Sequence, residues 1–265
     1  MNKQFTFLSG IPRSGSQVLS SLLNQHPKLH STTTSPLAEL SSIIIEAWPR
    51  LSLQVKKRNS EQLGNMLNGM FQGTYEHIEK PIIVDKNRLW PRFIKEVSIT
   101  LKQKPKIICT VRNIPDVIAS YLLLIRKNND RITFIDQDLL NNNIVINDKN
   151  RCKLILEKYI MHPYTSLRIG YNSIDAELLI LDYNEIVHDS QNVFNKVCDF
   201  IGIEYIHVNL NELQPMDEND EYHGGLNGLH EVRPVMQKIS PSADTVLGQE
   251  LFNHYKNMKL EFWKK

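Results

Sequence analysis

Four short runs of apolar, often β-branched residues are spaced along the chain, each bounded by polar residues. They lie near residue 6 (QFTFL), residue 83 (PIIVD), residue 108 (KIICTV) and residue 180 (ELLILD). A short run without polar interruption is typical of a strand covered on both faces, as in a parallel sheet. The chain is therefore predicted to contain four buried, parallel strands.

The segments between these runs repeat apolar residues at the three- and four-residue spacings of amphipathic helices. The repeats after the first strand, before the second and after the third are Val18, Leu19, Leu22 and Leu23; Leu63, Met66, Leu67, Met70 and Phe71; and Ile114, Val117, Ile118, Tyr121, Leu122 and Ile125. Alternating strands and helices predict an α/β fold, with three α/β/α layers around a central parallel sheet.

We expect one domain over residues 1–265, interrupted by two irregular segments. Residues 127–150 are rich in Asn and Asp and are predicted to form a loop or lid. Residues 212–245 contain several Gly and Pro and are predicted to be a second one. The last segment, residues 245–263, has the pattern of an amphipathic helix that closes the fold.

Composition narrows the function classes. A net charge of +2 gives no reason to expect nucleic acid or an anionic membrane as a partner. The chain shows neither a long apolar run nor a signal-peptide pattern, so a cytoplasmic protein without a membrane span is expected. Cys109, Cys152 and Cys198 are widely spaced, which argues against a disulfide framework or a zinc site. The oligomeric state is not indicated.

A glycine-rich turn, GIPRSGSQ, joins the first strand to the first helix. Such a turn presents backbone N–H groups at a helix N-terminus and suits an anion. The lysine of a nucleoside-triphosphate loop is missing after Gly15. Instead Arg13 lies inside the loop, between hydroxyl residues Ser14 and Ser16. This composition favours one phosphate carrying a transferable group, held without a metal; the glycines alone could also mark only a tight turn.

The longer stretch GIPRSGSQVLSSLLNQHP resembles the 5′-phosphosulfate loop of the sulfotransferase family. In that family a Pro-Arg-Ser-Gly-Ser/Thr core opens the first helix and a His-Pro or Asn-Pro follows it. The resemblance implies 3′-phosphoadenosine 5′-phosphosulfate (PAPS) as donor, 3′,5′-bisphosphoadenosine (PAP) as product and no metal. It also implies a P-loop-kinase-like fold, and a binding loop of Arg13, Ser14, Gly15, Ser16 and Gln17.

The segment KIICTVRNIPDVIASYL resembles the family's 3′-phosphate motif, with Arg112 after a strand and Ser120 eight residues later. Arg112 is placed at the carboxyl end of a strand, where open α/β sheets bind ligands. Asn113 is expected to cap the next helix, and Pro115 fits its first turn. An arginine in this position on its own is more often a solvated strand end.

Lys86 follows the second strand in IIVDKNRLWP, which resembles the family's Asn/Asp-Lys segment. The resemblance places Lys86 beside the transferred group, where it would act with Arg13 to stabilise negative charge on the leaving oxygen, as an oxyanion hole does. The alternative is a surface lysine paired with Asp85.

Two further resemblances are weaker. LLILDYNEIV matches a strand-Tyr element that makes Tyr183 a nucleotide contact, although a core tyrosine capping a strand would look the same. GLNGLHEVRPVMQK resembles the C-terminal loop that folds over the 3′-phosphate. Arg233 is the candidate there, with Lys238 second, and either could be an ordinary solvated charge.

The sequence departs from the family at the general base. Protein-tyrosine sulfotransferases carry a Glu-Glu pair where this chain has Thr33 and Thr34, and the histidine motif of the cytosolic small-molecule enzymes is missing as well. Four candidates remain open, and each could equally be structural: His30, Glu39, Asp85 and His230.

The acceptor is equally open among a carbohydrate, a protein tyrosine, a lipid and a small alcohol. The resemblance implies that residues 37–79 form a helical insertion lining the acceptor side. Trp48, Phe71 and Tyr75 could contact an acceptor there, although their spacing is more typical of core residues.

We therefore predict a PAPS-dependent sulfotransferase that transfers the sulfuryl group in line to a hydroxyl or an amine. A nucleotide or small-molecule kinase is one alternative; it would need magnesium and a lysine after Gly15. A non-catalytic PAP-binding homologue is the other. The missing Glu base supports it, whereas intact Arg13, Lys86 and Arg112 argue against it.

Overall fold

In the computed structural model a parallel sheet of five strands forms the centre of the molecule. The structure describes residues 2–50, 60–211, 213, 225–231 and 241–264. In sheet order the strands are β2 (Leu29–Ser31), β3 (Ile82–Lys86), β1 (Gln4–Gly10), β4 (Lys106–Val111) and β5 (Glu177–Asp182). The four predicted strands are confirmed. The edge strand β2 was missed because three residues are too few for an apolar pattern.

Helices connect the strands and cover both faces of the sheet. They are α1 (Ser16–Asn24), α2 (Leu37–Ala47), α3 (Ser60–Thr74), α4 (Ile94–Leu101), α5 (Ile114–Lys127), α6 (Phe134–Asn141), α7 (Asp148–Leu154), α8 (Met161–Tyr171), α9 (Tyr183–His188), α10 (Ser190–Ile201) and α11 (Ala243–Asn257). A π-helical turn, Ile155–Ile160, joins α7 to α8, and short 3₁₀ turns lie at Trp48–Arg50 and Trp90–Arg92.

Two apolar cores lie on opposite faces of the sheet, because successive strand residues point in opposite directions. Phe7 of β1 belongs to the larger core, with side chains from α2, α3, α5, α8 and α11. Leu8 belongs to the smaller core, with side chains from α1 and α10. The predicted three-layer α/β/α fold is confirmed, and so is the C-terminal helix.

Half of residues 127–150 are helical, so helices interrupt the predicted loop or lid. The segment contains α6 and the beginning of α7. Thr133 Oγ1 accepts a hydrogen bond from the Asp136 backbone N–H at 3.2 Å, and Asn147 Oδ1 accepts one from Asn150 N–H at 2.8 Å. The Asn- and Asp-rich composition that suggested a loop therefore includes helix caps. Most of the second irregular segment, 212–245, lies outside the described residues.

The sheet brings together the ends of three strands that carry predicted site residues. In the parallel register Leu8 pairs with Lys86 and Gly10 pairs with Thr110. The loop after β1 therefore lies between Lys86, which ends β3, and Arg112, which follows β4. No helix in the described part of the chain is long and apolar enough to cross a membrane.

Candidate active site

The loop between β1 and α1 depends on two glycines with positive φ. A Cβ on Gly10 (φ 134°) would lie 2.1 Å from the carbonyl oxygen of Thr110. Gly15 (φ 88°) precedes α1, and a Cβ there would lie 3.2 Å from the Tyr183 ring. Only glycine meets both requirements without strain. The backbone can therefore turn closely against β4 before entering the helix.

The N-terminus of α1 has neither a side-chain cap nor an acidic residue in its first turn. The first N–H groups of a helix have no partner within the helix, and the helix dipole adds positive potential there. Ser16 and Gln17 lie in this first turn. The arrangement suits an anion held by backbone N–H groups.

Ser14 has a different role from the other loop residues. Its hydroxyl is fully buried, 2.6 Å from Thr110 Oγ1 and 3.1 Å from the Thr110 carbonyl oxygen. The side chain therefore fixes the loop to β4. The hydroxyl is therefore engaged within the loop and is not presented to solvent.

Hydrogen bonds join the two predicted phosphate sites. Arg13 Nε donates to Ser120 Oγ at 3.1 Å, and Arg112 Nη1 donates to the Arg13 carbonyl oxygen at 3.0 Å. Arg13 also donates to the carbonyl oxygen of Leu229. The loop arginine, the strand-end arginine and the helix serine thus form one hydrogen-bonded cluster, although the sequence assigned them to two separate phosphate sites.

The two arginines bring positive charge into a buried place, and at Arg112 the carboxylates of Asp116 and Asp182 offset it in part. Burial lowers the pKa of Arg112, and the pKa of Arg13 is lowered by burial and by the nearby charge of Arg112. Neither arginine forms an ion pair with a carboxylate in the described part of the chain. Arg112 Nε is buried and has no hydrogen-bond acceptor among the described residues. A buried donor without an acceptor destabilises a protein unless a ligand satisfies it.

Tyr183 lies beside this cluster, at the start of α9. The centroid of its ring is 4.0 Å from the guanidinium carbon of Arg112. The contact is a cation–π interaction that holds the guanidinium plane in place. The tyrosine is half-buried, so part of the ring remains accessible next to Arg112.

Helix α5 starts differently from the sequence prediction. Asn113 precedes the helix, but its side chain does not cap it: Asn113 Nδ2 donates to Asp116 Oδ2 at 3.1 Å, and its Oδ1 accepts from Lys264. The Ile114 backbone N–H instead donates to Glu261 Oε1 at 2.9 Å. A carboxylate from the C-terminal segment therefore caps α5.

Lys86 ends β3, and its side chain is buried near the loop after β2. Its backbone N–H donates to Thr32 Oγ1 at 2.8 Å, and Nζ donates to the carbonyl oxygen of Thr33. Asp85 points to the opposite face of the sheet, which excludes the alternative of a Lys86–Asp85 pair.

Asp85 is a buried structural carboxylate. It accepts hydrogen bonds from Tyr75 Oη at 2.5 Å and from Trp90 Nε1 at 2.7 Å. Burial raises the pKa of Asp85, and burial together with this carboxylate raises the pKa of Tyr75. Phe71 is fully buried in the same core and Tyr75 nearly so, as their core interpretation predicted, whereas Trp48 is half-buried.

The other base candidates occupy different places. Burial lowers the pKa of His30, as do the nearby Lys80, His77 and Lys3. Lys3 and Lys80 precede β1 and β3, so His30 lies toward the amino ends of the strands, away from the loop.

Glu39, in contrast, lies in the first turn of α2 and is exposed. Its Oε2 accepts from Asn87 Nδ2 at 2.6 Å, and Asn87 directly follows Lys86. His230 adjoins Leu229, the residue that accepts a hydrogen bond from Arg13.

Residues 225–231 lie over α5 and Arg13. Asn128 Nδ2 donates to the Asn227 carbonyl oxygen at 3.0 Å, and the Asn227 N–H donates back to Asn128 Oδ1 at 3.2 Å. Leu226 is fully buried in the larger core. Arg233 and Lys238 lie outside the described residues, so their predicted contacts stay predictions.

Sequence reasoning missed Asn87, Asn128 and Glu261. Asn87 could have been suspected, because a polar residue next to Lys86 follows the end of a buried strand. Asn128 and Glu261 had no local signal, since their partners lie 99 and 147 residues away in the chain.

Comparison with known proteins agrees with this geometry. The model of the sulfotransferase domain family matches residues 3–220. The chain belongs to this family. The predicted family is thereby confirmed, whereas no curated protein sequence matches the chain.

Solved sulfotransferase structures share the fold. Mouse sulfotransferase SULT7A1 complexed with PAP has 15% identity and a TM-score of 0.53, over 99% of this chain and 86% of that one. The sulfotransferase domain of the Synechococcus PCC 7002 olefin synthase has 16% identity and a TM-score of 0.50, over 96% and 95% of the two chains. At these identities the likeness establishes the fold alone.

Proposed function

We propose that this protein transfers the sulfuryl group of PAPS to an acceptor hydroxyl, or an amine, and releases PAP. The observation that carries the proposal is the pair of arginines. Arg13 and Arg112 lie together and form no ion pair with a carboxylate among the described residues, and the buried Arg112 Nε has no hydrogen-bond acceptor there. They adjoin the uncapped N-terminus of α1. A nucleotide with one phosphate at each end of its ribose would satisfy both features.

The residues divide between the two ends of this donor. Arg13 and the backbone N–H groups from Ser14 to Gln17 would hold the 5′-phosphosulfate. Arg112 and Ser120 would hold the 3′-phosphate, with Tyr183 beside the nucleotide and Arg233 as a further contact. The Ser14 side chain would keep the loop in place without touching the ligand.

In the transfer step the acceptor oxygen would attack sulfur in line with the bond to the bridging oxygen. The acceptor loses its proton, a new S–O bond forms, and the bridging oxygen leaves with the phosphate of PAP. Lys86 and Arg13 would stabilise the negative charge on this oxygen. The stabilising positive charge would then come from side chains and would not require a metal. Removing such a donor typically lowers kcat by about 10²–10³-fold.

A cytoplasmic location is part of the proposal. Cys109, Cys152 and Cys198 are buried free thiols, which suits a reducing compartment.

The deciding experiment is calorimetric titration of the protein with PAP, compared with 5′-AMP and with ATP plus magnesium. We expect PAP to bind tightly, 5′-AMP to bind weakly, and Arg112→Ala to reduce the difference between them. Lys127→Ala, a basic residue at the end of α5, is the control and should leave PAP affinity unchanged. A preference for ATP with magnesium would contradict the proposal and favour a kinase.

Lys86→Ala separates an enzyme from a non-catalytic binder. If the chain is an enzyme, this variant keeps most of its PAP affinity and loses PAPS turnover. A wild-type protein that binds PAP and shows no PAPS turnover with any acceptor would support the non-catalytic homologue.

A further inference from the structure

Helix α2 is rich in apolar residues but buries few of them. Of its eleven residues only Leu37, Ala38 and Ser41 are buried. Leu40 is 42% exposed and Ile43 is 63% exposed. A helix on the surface of a globular protein normally has polar residues at such positions. The outer face of α2 therefore exposes two large apolar side chains beside its acidic residues, where water alone would favour polar side chains.

This apolar face carries Glu39. Residues four positions apart lie on the same side of a helix, one turn from each other, so Ile43 shares the side of Glu39. Side chains in a helix lean toward its N-terminus, which brings Ile43 over the turn that holds the carboxylate. Leu40 directly follows Glu39 in the sequence and lies three residues before Ile43, which makes it a neighbour of Ile43 on the helix surface. The carboxylate and the two apolar side chains thus form one continuous surface.

Glu39 is also linked to the proposed catalytic lysine. Asn87 Nδ2 donates to Glu39 Oε2 at 2.6 Å and to the Ser35 carbonyl oxygen at 2.7 Å. Asn87 directly follows Lys86, whose Nζ donates to the carbonyl oxygen of Thr33. The strand end that presents the lysine therefore also positions the carboxylate. Glu39 forms no ion pair within the described ranges.

The other base candidates are less well placed. Asp85 has both oxygens engaged by Tyr75 and Trp90 on the opposite face of the sheet. His30 lies near lysines at the amino ends of the strands. His230 adjoins the segment above Arg13, on the donor side of the loop.

We propose that the outer face of α2 is the acceptor site, that Glu39 is the general base, and that the acceptor is an alcohol with an apolar chain. This inference rests on the proposed function. Glu39 takes the proton of the alcohol while the alcohol oxygen attacks sulfur; the products are a sulfate monoester and PAP. Leu40 and Ile43 contact the chain of the alcohol. Ser42 and Glu46, the nearest polar side chains on the helix, bond to each other at 3.3 Å, which leaves little for a carbohydrate to bind.

The acceptor class is tested with PAPS and the straight-chain alcohols butanol, hexanol and octanol, by measuring PAP release. Burying one methylene contributes about 0.8 kcal/mol, or roughly fourfold in kcat/KM, so full contact predicts a rise of that size per methylene. Ile43→Ser and Leu40→Ser should flatten this dependence and leave PAP affinity unchanged. The control is Ile174→Ser, since Ile174 is 84% exposed at the amino end of β5.

The base is tested with Glu39→Gln, which keeps an acceptor for Asn87 but cannot take a proton. General base catalysis contributes about 10²–10⁴-fold, so kcat should fall by at least ~10² while the dependence of KM on chain length stays. Glu46→Gln, on the same helix, should keep wild-type activity. Equal activity of Glu39→Gln and Glu46→Gln would overturn the assignment of the base.

Failure of the inference can be distinguished from failure of the proposed function. A wild-type protein that does not bind PAP would overturn the proposed function itself. Normal PAP binding with no dependence on chain length, or with equal slopes for Ile43→Ser and Ile174→Ser, would overturn the acceptor class alone. A change of molar mass in Ile43→Ser, measured by light scattering, would also overturn it, because the face would then be an interface between copies of the chain.

Discussion

Helices α1 and α5 both follow inner strands of the sheet and both start at its carboxyl edge, yet their N-termini are built in opposite ways. The α1 terminus follows a glycine and has neither a side-chain cap nor an acidic residue in its first turn. The α5 terminus is closed by Glu261 from the other end of the chain. A carboxylate at a helix N-terminus occupies the N–H groups and repels a second anion.

The difference teaches how one sheet edge can separate two phosphates. At α1 the anion of the proposed donor would be recognised by the backbone, which requires glycine and little side chain. At α5 the helix end is closed by Glu261, and recognition would pass to Arg112 before the helix and to Ser120 within it. The proposed site would therefore select a ligand that carries a second phosphate at some distance from the first.

The largest expected effect is a loss of stability when the loop before α1 is disrupted. Gly10→Ala places a Cβ 2.1 Å from the Thr110 carbonyl oxygen at φ 134°, so the loop or β4 has to move. We expect a loss in the free energy of unfolding of more than about 4 kcal/mol. Denaturant unfolding of the variant and the wild type measures this loss. The control is Gly73→Ala in α3, which has nothing within 4 Å and should be neutral or stabilising. Equal stability of the two variants would contradict the described loop.

The second largest expected effect is a loss of PAP affinity when a side chain of α5 is changed. Ser120→Ala removes a hydroxyl that accepts from Arg13 and would donate to the 3′-phosphate. Hydrogen bonds to charged groups contribute about 1.5–3 kcal/mol, so PAP affinity should fall by roughly tenfold or more while 5′-AMP affinity changes little. Ser166→Ala, at a buried hydroxyl in α8, is the control. An equal loss for PAP and 5′-AMP would exclude Ser120 from the 3′-phosphate site.

A smaller loss of stability is expected when the cap of α5, the Glu261 carboxylate, is removed. Glu261→Ala should lower the free energy of unfolding by about 1 kcal/mol, a shift of a few degrees in Tm, whereas Glu261→Gln keeps the acceptor and should lose less. Glu250→Ala, an exposed acid on α11, serves as the control. The alanine variant should also gain more stability from added sulfate than the wild type does. A sulfate response identical to that of the wild type would mean that Glu261 does not keep anions from α5.

The smallest expected effect concerns the amino end of the sheet. The pKa of His30 is lowered by burial, so the unfolded chain binds this proton more readily than the folded protein does. Stability contributed by neutral His30 is therefore present above the ordinary histidine pKa, about 6.5, and is lost as the pH falls below it. His30→Gln should be less sensitive to acid than the wild type and should keep its PAPS turnover. Loss of turnover would return His30 to the base candidates.

The sequence was most informative where a function depends on local chain geometry. Gly10 and Gly15 sufficed to predict the loop after β1, and the apolar run before Arg112 sufficed to place this arginine after a strand. The phosphate contact of Arg112 stays a prediction. The four short apolar runs likewise predicted four of the five strands.

Contacts between distant segments could not be predicted in the same way. Nothing near Ile114 indicates that Glu261 will cap its helix. Nothing in the sequence around Ser14 shows that its hydroxyl turns inward to Thr110. The loop prediction for 127–150 missed α6 and the beginning of α7, because Asn and Asp favour turns and helix caps alike.

The hydrogen bond from Arg13 to Ser120 has a consequence for the order of events at the site. One side chain belongs to the loop and the other to α5, so an anion that draws Arg13 toward the loop also frees the hydroxyl of Ser120. Occupation of one end of the donor then changes the affinity at the other end, and by linkage the effect is mutual. The two ends of the donor would then bind cooperatively. A nucleotide with only one phosphate would lose this cooperative contribution, so its binding free energy would be less than half that of the donor.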